Sequence, residues 1–403
     1  MTKTKTNSTH LTHNLYDLRQ RRGLTQLELA DAAGISVDVI RKLEQGQRST
    51  AALSTLMALA QALDTDLGEL TNTPRGLLVG AEDSEVWRLR QAVLGISPST
   101  AEPVTAQDLA TGVEQLWQSY WHAQYGALAR ELPAWLDIAR ATARDATGPA
   151  ARAVHAQLAS LLQLTASLLA QLAHEDLAHL ALAGAVRAAE DSGDELLHAA
   201  GQATRSWILA RQGLWSEAEH LALTTASAIE PTLSTASVDH VAVWGDLLRY
   251  GAVALGRSGR HSETADVLGL MHAAASRMNG DQPTRYASRA FGPTIVAMRE
   301  VDSAILAGKP RQAITLAERI THPHNTPPGM HARYLLNLAW AQTSEWRSAD
   351  AVLTLRKAEE LAPQLLPHQS IARTIIAELL PRRRKQRLPG LVALAERVGV
   401  PTT

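Results

Sequence analysis

Four times in the second half of the chain a turn residue is followed five positions later by a small one. Gly213-Leu214-Trp215-Ser216-Glu217-Ala218 is the clearest copy, and Gly259 to Thr264, Gly308 to Ala313 and Ser344 to Ala349 repeat it, the last with an aromatic, Trp346, inside the turn. Glycine at that point suits the left-handed backbone that ends a helix, and the small residue lets the next helix lie close. The corresponding positions 218, 264, 313 and 349 are 46, 49 and 36 residues apart, so the repeat is irregular. Two earlier hairpins are expected, one from Thr105 to Ala146 around Tyr125, the other from Ala153 to Asp191 with Ala178, Ala185 and Ala188 as close-packing positions. No hairpin can bury its alanine stripe alone, so the units must stack into a superhelix with a concave face. The 69 alanines and the single Phe in 403 residues agree, because alanine favours helix while strands draw on aromatic and β-branched residues. The predicted fold class is all-α.

Several function classes lack support. The 39 basic and 40 acidic side chains leave a net charge of -1, so no global field marks a nucleic-acid or membrane partner. Zero cysteines exclude disulfides and thiolate chemistry. The most apolar run, Leu158 to Ala173, is broken by Gln163 and Gln171 and falls short of about 20 apolar residues, so no membrane association is expected and a cytoplasmic location is. His174 and His179 are five apart, which turns them roughly 140° from each other on a helix and fails the zinc-protease geometry. His322 and His324 fall in a proline-rich loop. No nucleophile elbow and no glycine-rich phosphate loop is present, so no enzyme activity, cofactor or metal is expected. Trp117, Tyr120 and Trp121 form one helical stripe that reads as core, and Arg382 to Arg387 reads as a solvated helix end, with an acidic partner or a peptide carboxylate as the rival.

The first seventy residues follow a different grammar, five short helices in tight succession. Leu15 and Leu18 open the first, and Arg21-Arg22-Gly23 ends it. Thr25 caps a second through Leu27, Leu29 and Ala30, with Glu28 placed for a capping box. Gly34 breaks the chain, Ser36 caps a third helix with Ile40 and Leu43 inward, and Gly46 closes it. A fourth runs from about Leu53 to Leu63, and a short fifth follows Asp66. Leu24-Thr25-Gln26-x-Glu28-Leu29-Ala30, Ala33-Gly34-Ile35-Ser36, Leu43-Glu44-Gln45-Gly46 and Leu56-x-x-Leu59-Ala60-x-Ala62-Leu63 resemble the helix-turn-helix of the lambda-repressor-like, or Xre/Cro, regulators over about 55 residues. The resemblance implies that Gln26 bonds a phosphate and steadies the recognition helix, and that Ser36, Val37, Asp38 and Lys42 face the major groove of double-stranded DNA. Arg41 is placed to reach a base edge or a phosphate. Val37 offers only apolar contact, and Asp38 either accepts from cytosine N4 or caps the third helix. Arg19 and Glu44 match the family's ion pair between helices one and three, a structural role.

Residues 1–72 thus read as a DNA-binding domain, 73–83 as a linker and 84–403 as a helical repeat domain for sensing and dimerisation. The repeat domain resembles the tetratricopeptide-like part of actinomycete Xre-type regulators, which implies a peptide or small-molecule effector in the groove. Residues 1–72 carry eight basic and eight acidic side chains, although residues 1–22 hold a local surplus of four positive charges. One neutral module binds DNA weakly, so a homodimer on an inverted repeat is expected. The rival reading is a protein-interaction scaffold on which DNA binding is secondary.

Overall fold

Each capping signal of the N-terminal segment is used. In the computed structural model, which describes residues 4–48, 51–63, 65, 70–71, 82–96, 101–281, 286, 290–320, 326–366, 369–384 and 386–402, the chain is all helical with a helix-turn-helix module at its start. Helix α1 (Thr4–Arg21) begins well before Leu15, and Leu11 joins Leu15 and Leu18 in the core. Thr25 and Glu28 close a reciprocal capping box on α2 (Gln26–Ala33), and Gly34 ends it at φ 63°. Ser36 caps α3 (Val37–Glu44), with Ile40 and Leu43 fully buried. Helix α4 (Leu53–Ala62) supplies Leu56, Leu59 and Ala60 to the same core. Most of the expected fifth helix lies outside the described residues, as do residues 73–81 of the expected linker, His322 and His324, whereas Glu82 and Asp83 at the linker's end already belong to a helix.

After α5 (Glu82–Leu94) come helical hairpins, α6 (Ala106–Trp121) with α7 (Tyr125–Asp145), α8 (Gly148–Gln171) with α9 (Glu175–Ser192), α10 (Glu195–Arg211) with α11 (Trp215–Ala228), and α12 (Val238–Arg257) with α13 (His261–Ala275). The series continues with α14 (Pro293–Leu306) and α15 (Pro310–Ala317), α16 (Pro328–Ser344) and α17 (Ser348–Leu361), and α18 (Ser370–Arg382) and α19 (Leu391–Val398). Each even-numbered helix from α6 to α16 packs against its own partner and against the next even-numbered helix, so α6 to α18 form the inner wall. The superhelix turns far enough that α16 meets α6 again, and Arg333 donates to Gln171, 3.2 Å, across the gap.

Within each of the first six hairpins the turn carries one residue in the left-handed region, Ala123, Ala173, Gly213, Gly259, Gly308 and Trp346. The residue five positions later is buried every time, Leu128, Ala178, Ala218, Thr264, Ala313 and Ala351. The sequence phase of the last copy is therefore corrected by two, since Trp346 itself is the turn residue, Ala351 is fully buried and Ala349 is exposed. Helix α8 is long and apolar enough to cross a membrane, but 72% of its most apolar window is buried inside the fold. Two of its buried polar side chains find partners there: Gln163 donates to the Ala200 carbonyl and to Thr204, and Ser160 accepts the Trp117 indole N–H at 2.8 Å. Trp117 and Tyr120 are core, each 6% exposed. Arg382 departs from the solvated reading, because it donates to the Thr343 carbonyl at 2.9 Å, pairs with Glu378 and lies over the Trp346 ring. It caps the end of α16, an acceptor-rich terminus that favours a cation.

Candidate nucleic-acid interface

The site is α3 and the turn that presents it. Arg19 of α1 reaches the end of α3 and grips Glu44 with two bonds, Nε to Oε1 at 2.7 Å and Nη2 to Oε2 at 2.9 Å, while Nη1 donates to the Leu24 carbonyl at 2.8 Å. Both side chains are more than nine-tenths buried. The bond to Glu44 outweighs burial and holds the Arg19 guanidinium above its ordinary value, so it stays charged. Gln26 adds a third contact, Nε2 to Glu44 Oε2 at 2.7 Å, which places the start of α2 on the same anchor. Thr12 donates to the Leu43 carbonyl at 2.9 Å and secures the last turn. Helix α3 is thus fixed through Glu44 and Leu43 at its C-terminal end, leaving its outward face open to another molecule.

That face carries Ser36, Asp38, Arg41 and Lys42, all exposed with the rest of the chain in place. Ser36 Oγ accepts from the Asp38 N–H at 3.3 Å, so the cap is Ser36 and not Asp38, which corrects one of the two roles open for Asp38. Asp38 instead accepts from Lys42 one turn on, 2.7 Å, with both side chains about half exposed. This hydrogen bond holds the Asp38 carboxyl below the usual carboxylate range. Lys42 thus meets a base or a phosphate with one of its three N–H donors, and part of its charge, taken up by Asp38. Val37 is less open than its neighbours on the helix. It is half-buried and packs on the hydrophobic core, because it stands about 60° from Ile40 and nearly in line with Glu44 on the helix.

Two other expectations change. Arg22, counted with the positive surplus of residues 1–22, donates Nε to the Leu63 carbonyl at 2.9 Å and closes α4. Beyond α3, Gln45, Gln47 and Arg48 are exposed, and the Arg48 N–H donates to the Lys42 carbonyl at 3.0 Å, folding this polar segment back beside the recognition face. The sequence signal for them was the run of long polar side chains around Gly46, read there only as a helix stop. Elsewhere His179 bonds Gln212 at 2.9 Å and His174 stands just before α9, so the two do not converge.

Residues 15–70 match the family model described as Helix-turn-helix. No curated protein is similar to the chain. The match ends before the hairpins begin and covers the module whose anchored α3 has just been described. The N-terminal module is a helix-turn-helix of the DNA-binding kind used by transcription regulators.

Proposed function

We propose that the chain is a sequence-specific transcriptional regulator that binds an inverted-repeat operator as a homodimer and is modulated by an effector held in its hairpin domain. The observation that carries the reading is the open face of α3: Ser36, Asp38, Arg41 and Lys42 remain exposed in the complete fold while Glu44 is buried and clamped. A helix fixed at one end and exposed along one face is suited to enter the major groove, with phosphate contacts from its flanks. Gln26 and Arg48 flank it and are assigned to phosphate, Arg41 and Lys42 to base edges or phosphate. We read the hairpins as tetratricopeptide-like, on the small residue that each turn places against its neighbour, and the protein as acting in the cytoplasm, where its DNA is.

Mobility shift against DNA from the protein's own promoter region tests this. A variant with Asp38, Arg41 and Lys42 all changed to alanine leaves the half-buried Val37 in place and is expected to lose the specific complex at an unchanged melting temperature. Full binding by that variant sinks the reading and leaves the scaffold alternative.

A further inference from the structure

The even-numbered helices meet around a cavity of about 350 Å³. This lies toward the small end of the roughly 300–1,000 Å³ that small-molecule sites occupy, room for a compact molecule rather than an extended peptide. Helices α10, α12, α14 and α16 build one side, while Met57, Ala60 and Thr65 of the helix-turn-helix module line the other. The module is seated there by α4, which packs on α18 and whose Gln61 donates to the Arg257 carbonyl at 3.1 Å.

The charged groups of this lining are matched inside the protein. Arg211 lies over the Trp207 ring, Arg257 over Trp215 and Arg249 over Tyr250. Arg249 also pairs with Asp246, Arg299 pairs with Asp302 at 3.0 Å, and Arg333 donates to Gln171 at 3.2 Å. Asp302 accepts in addition from Asn337 at 2.8 Å. An ion entering here gives up its water for groups that already hold partners, so charge is not what the site selects. The ring faces are covered as well, which leaves no flat slot for an aromatic plate. What remains for a ligand is aliphatic and thioether surface, from Met298, Ile305 and Leu306 of α14, Met330 of α16, Ile371 of α18 and Met57 of the module. Methionine is unbranched and polarizable, so three of them let the wall fit an irregular apolar body.

The polar element of this wall is one side of α16, where Tyr334, Asn337 and Trp340 follow one another at three-residue spacing along the cavity. Tyr334 is 7% exposed, and its hydroxyl makes no hydrogen bond with the described residues. Burial, and then the charge of Asp302, push that hydroxyl well above its ordinary value, so it stays a neutral O–H. Trp340 is 6% exposed, and its indole N–H has no hydrogen-bond partner either. Buried donors lacking an acceptor are costly unless something else supplies an oxygen.

We propose that this cavity binds a compact, neutral, mainly aliphatic molecule with a carbonyl oxygen, which accepts from the Tyr334 hydroxyl, and that the helix-turn-helix module is one wall of the site. Such an occupant touches both parts of the chain, so it stabilises the seating of α4 by its differential affinity for the seated arrangement. The inference deepens the effector reading above and rests on it only for the consequence at DNA.

Calorimetric titration of the full-length protein with camphor and cyclohexyl methyl ketone tests it, with cyclohexanecarboxylate as the anionic control. At least one ketone is expected to saturate a single site, with the carboxylate at least about tenfold weaker because it must shed its hydration. No saturable uptake of either ketone, or a carboxylate that binds as tightly as the ketones, overturns the proposal. Tyr334→Phe keeps the ring and removes the O–H, and is expected to weaken the ketone about five- to tenfold, whereas unchanged affinity overturns the assignment of the donor. Met57→Trp fills the cavity from the module side and is expected to abolish uptake at a native melting temperature, whereas unchanged affinity removes the module from the site. Should Met57→Trp fail to fold, hydrogen exchange on the unmutated protein decides: the ketone is expected to slow exchange in α4 and α16 together, and protection of α16 alone overturns the two-walled site. None of these readouts involves DNA, so their failure leaves the α3 reading standing, and loss of the α3 reading leaves them unchanged.

Discussion

At the scale of the residue, Glu44 carries more than its sequence position suggests, because it is the acceptor for Arg19 and Gln26 at once in a nearly dry setting. Replacing it with alanine strands a buried guanidinium, so Glu44→Ala is expected to cost about 3–5 kcal/mol. Urea unfolding of the full chain measures the loss, and a native midpoint with altered operator choice would move Glu44 from scaffold to reader. Asp38 acts in the opposite sense. Its carboxylate occupies Lys42 on the exposed face, so Asp38→Ala is expected to tighten binding to specific and random DNA alike and to steepen the salt dependence by about one unit of slope. A loss confined to one base pair of the operator would show instead that Asp38 reads that base. The Arg19–Glu44 pairing was legible in the sequence because the motif fixes both positions. The Asp38–Lys42 pair was not, since two exposed charges four apart are equally free to pair with each other or with a ligand until rotamers are known.

At the scale of the element, hairpin turns were legible to the residue where the left-handed residue is glycine, at 213, 259 and 308, and only as approximate hairpins where it is Ala123, Ala173 or Trp346. An alanine or tryptophan at positive φ leaves no trace in composition, which is why the last repeat was placed two residues out of phase. The same conformation yields a prediction. Left-handed backbone costs an L-residue about 1–2 kcal/mol, more than the roughly 0.4–1 kcal/mol that glycine loses through the unfolded chain, so Ala173→Gly is expected to stabilise by up to about 1 kcal/mol. Thermal unfolding checks the sign. Helix interiors behave in reverse. A Cβ on Gly245 of α12 would stand 2.2 Å from the ring of Phe291, itself 1% exposed. Gly245→Ala improves helix propensity by about 1 kcal/mol yet overpacks this contact, and a net destabilisation of about 1–2 kcal/mol is expected. A rise in melting temperature would mean that Phe291 can give way.

At the scale of the whole molecule, α4 is both a core helix of the module and the surface by which the module sits on the hairpins, against α18 and the Arg257 carbonyl. Nothing in the sequence pattern announced this, because α4 and α18 lie near opposite ends of the chain and neither carries a motif that marks its partner. The seating bears on how DNA is reached. Residues 1–72 have no net charge, which leaves a single module little non-specific affinity, whereas two linked modules add their binding energies and gain effective concentration. If each module is held to its own hairpin domain, the distance between two recognition helices is set by the dimer of hairpin domains and not by the modules. The full-length protein is therefore expected to be a dimer at micromolar concentration and to prefer one half-site spacing, one helical turn or a multiple of it, with affinity falling steeply when a few base pairs are inserted. Light scattering gives the mass, and mobility shift on operators with graded spacers gives the preference. A broad tolerance of spacing would show that the modules leave their seats to bind, and a monomer that occupies a lone half-site at full affinity would remove the dimer altogether.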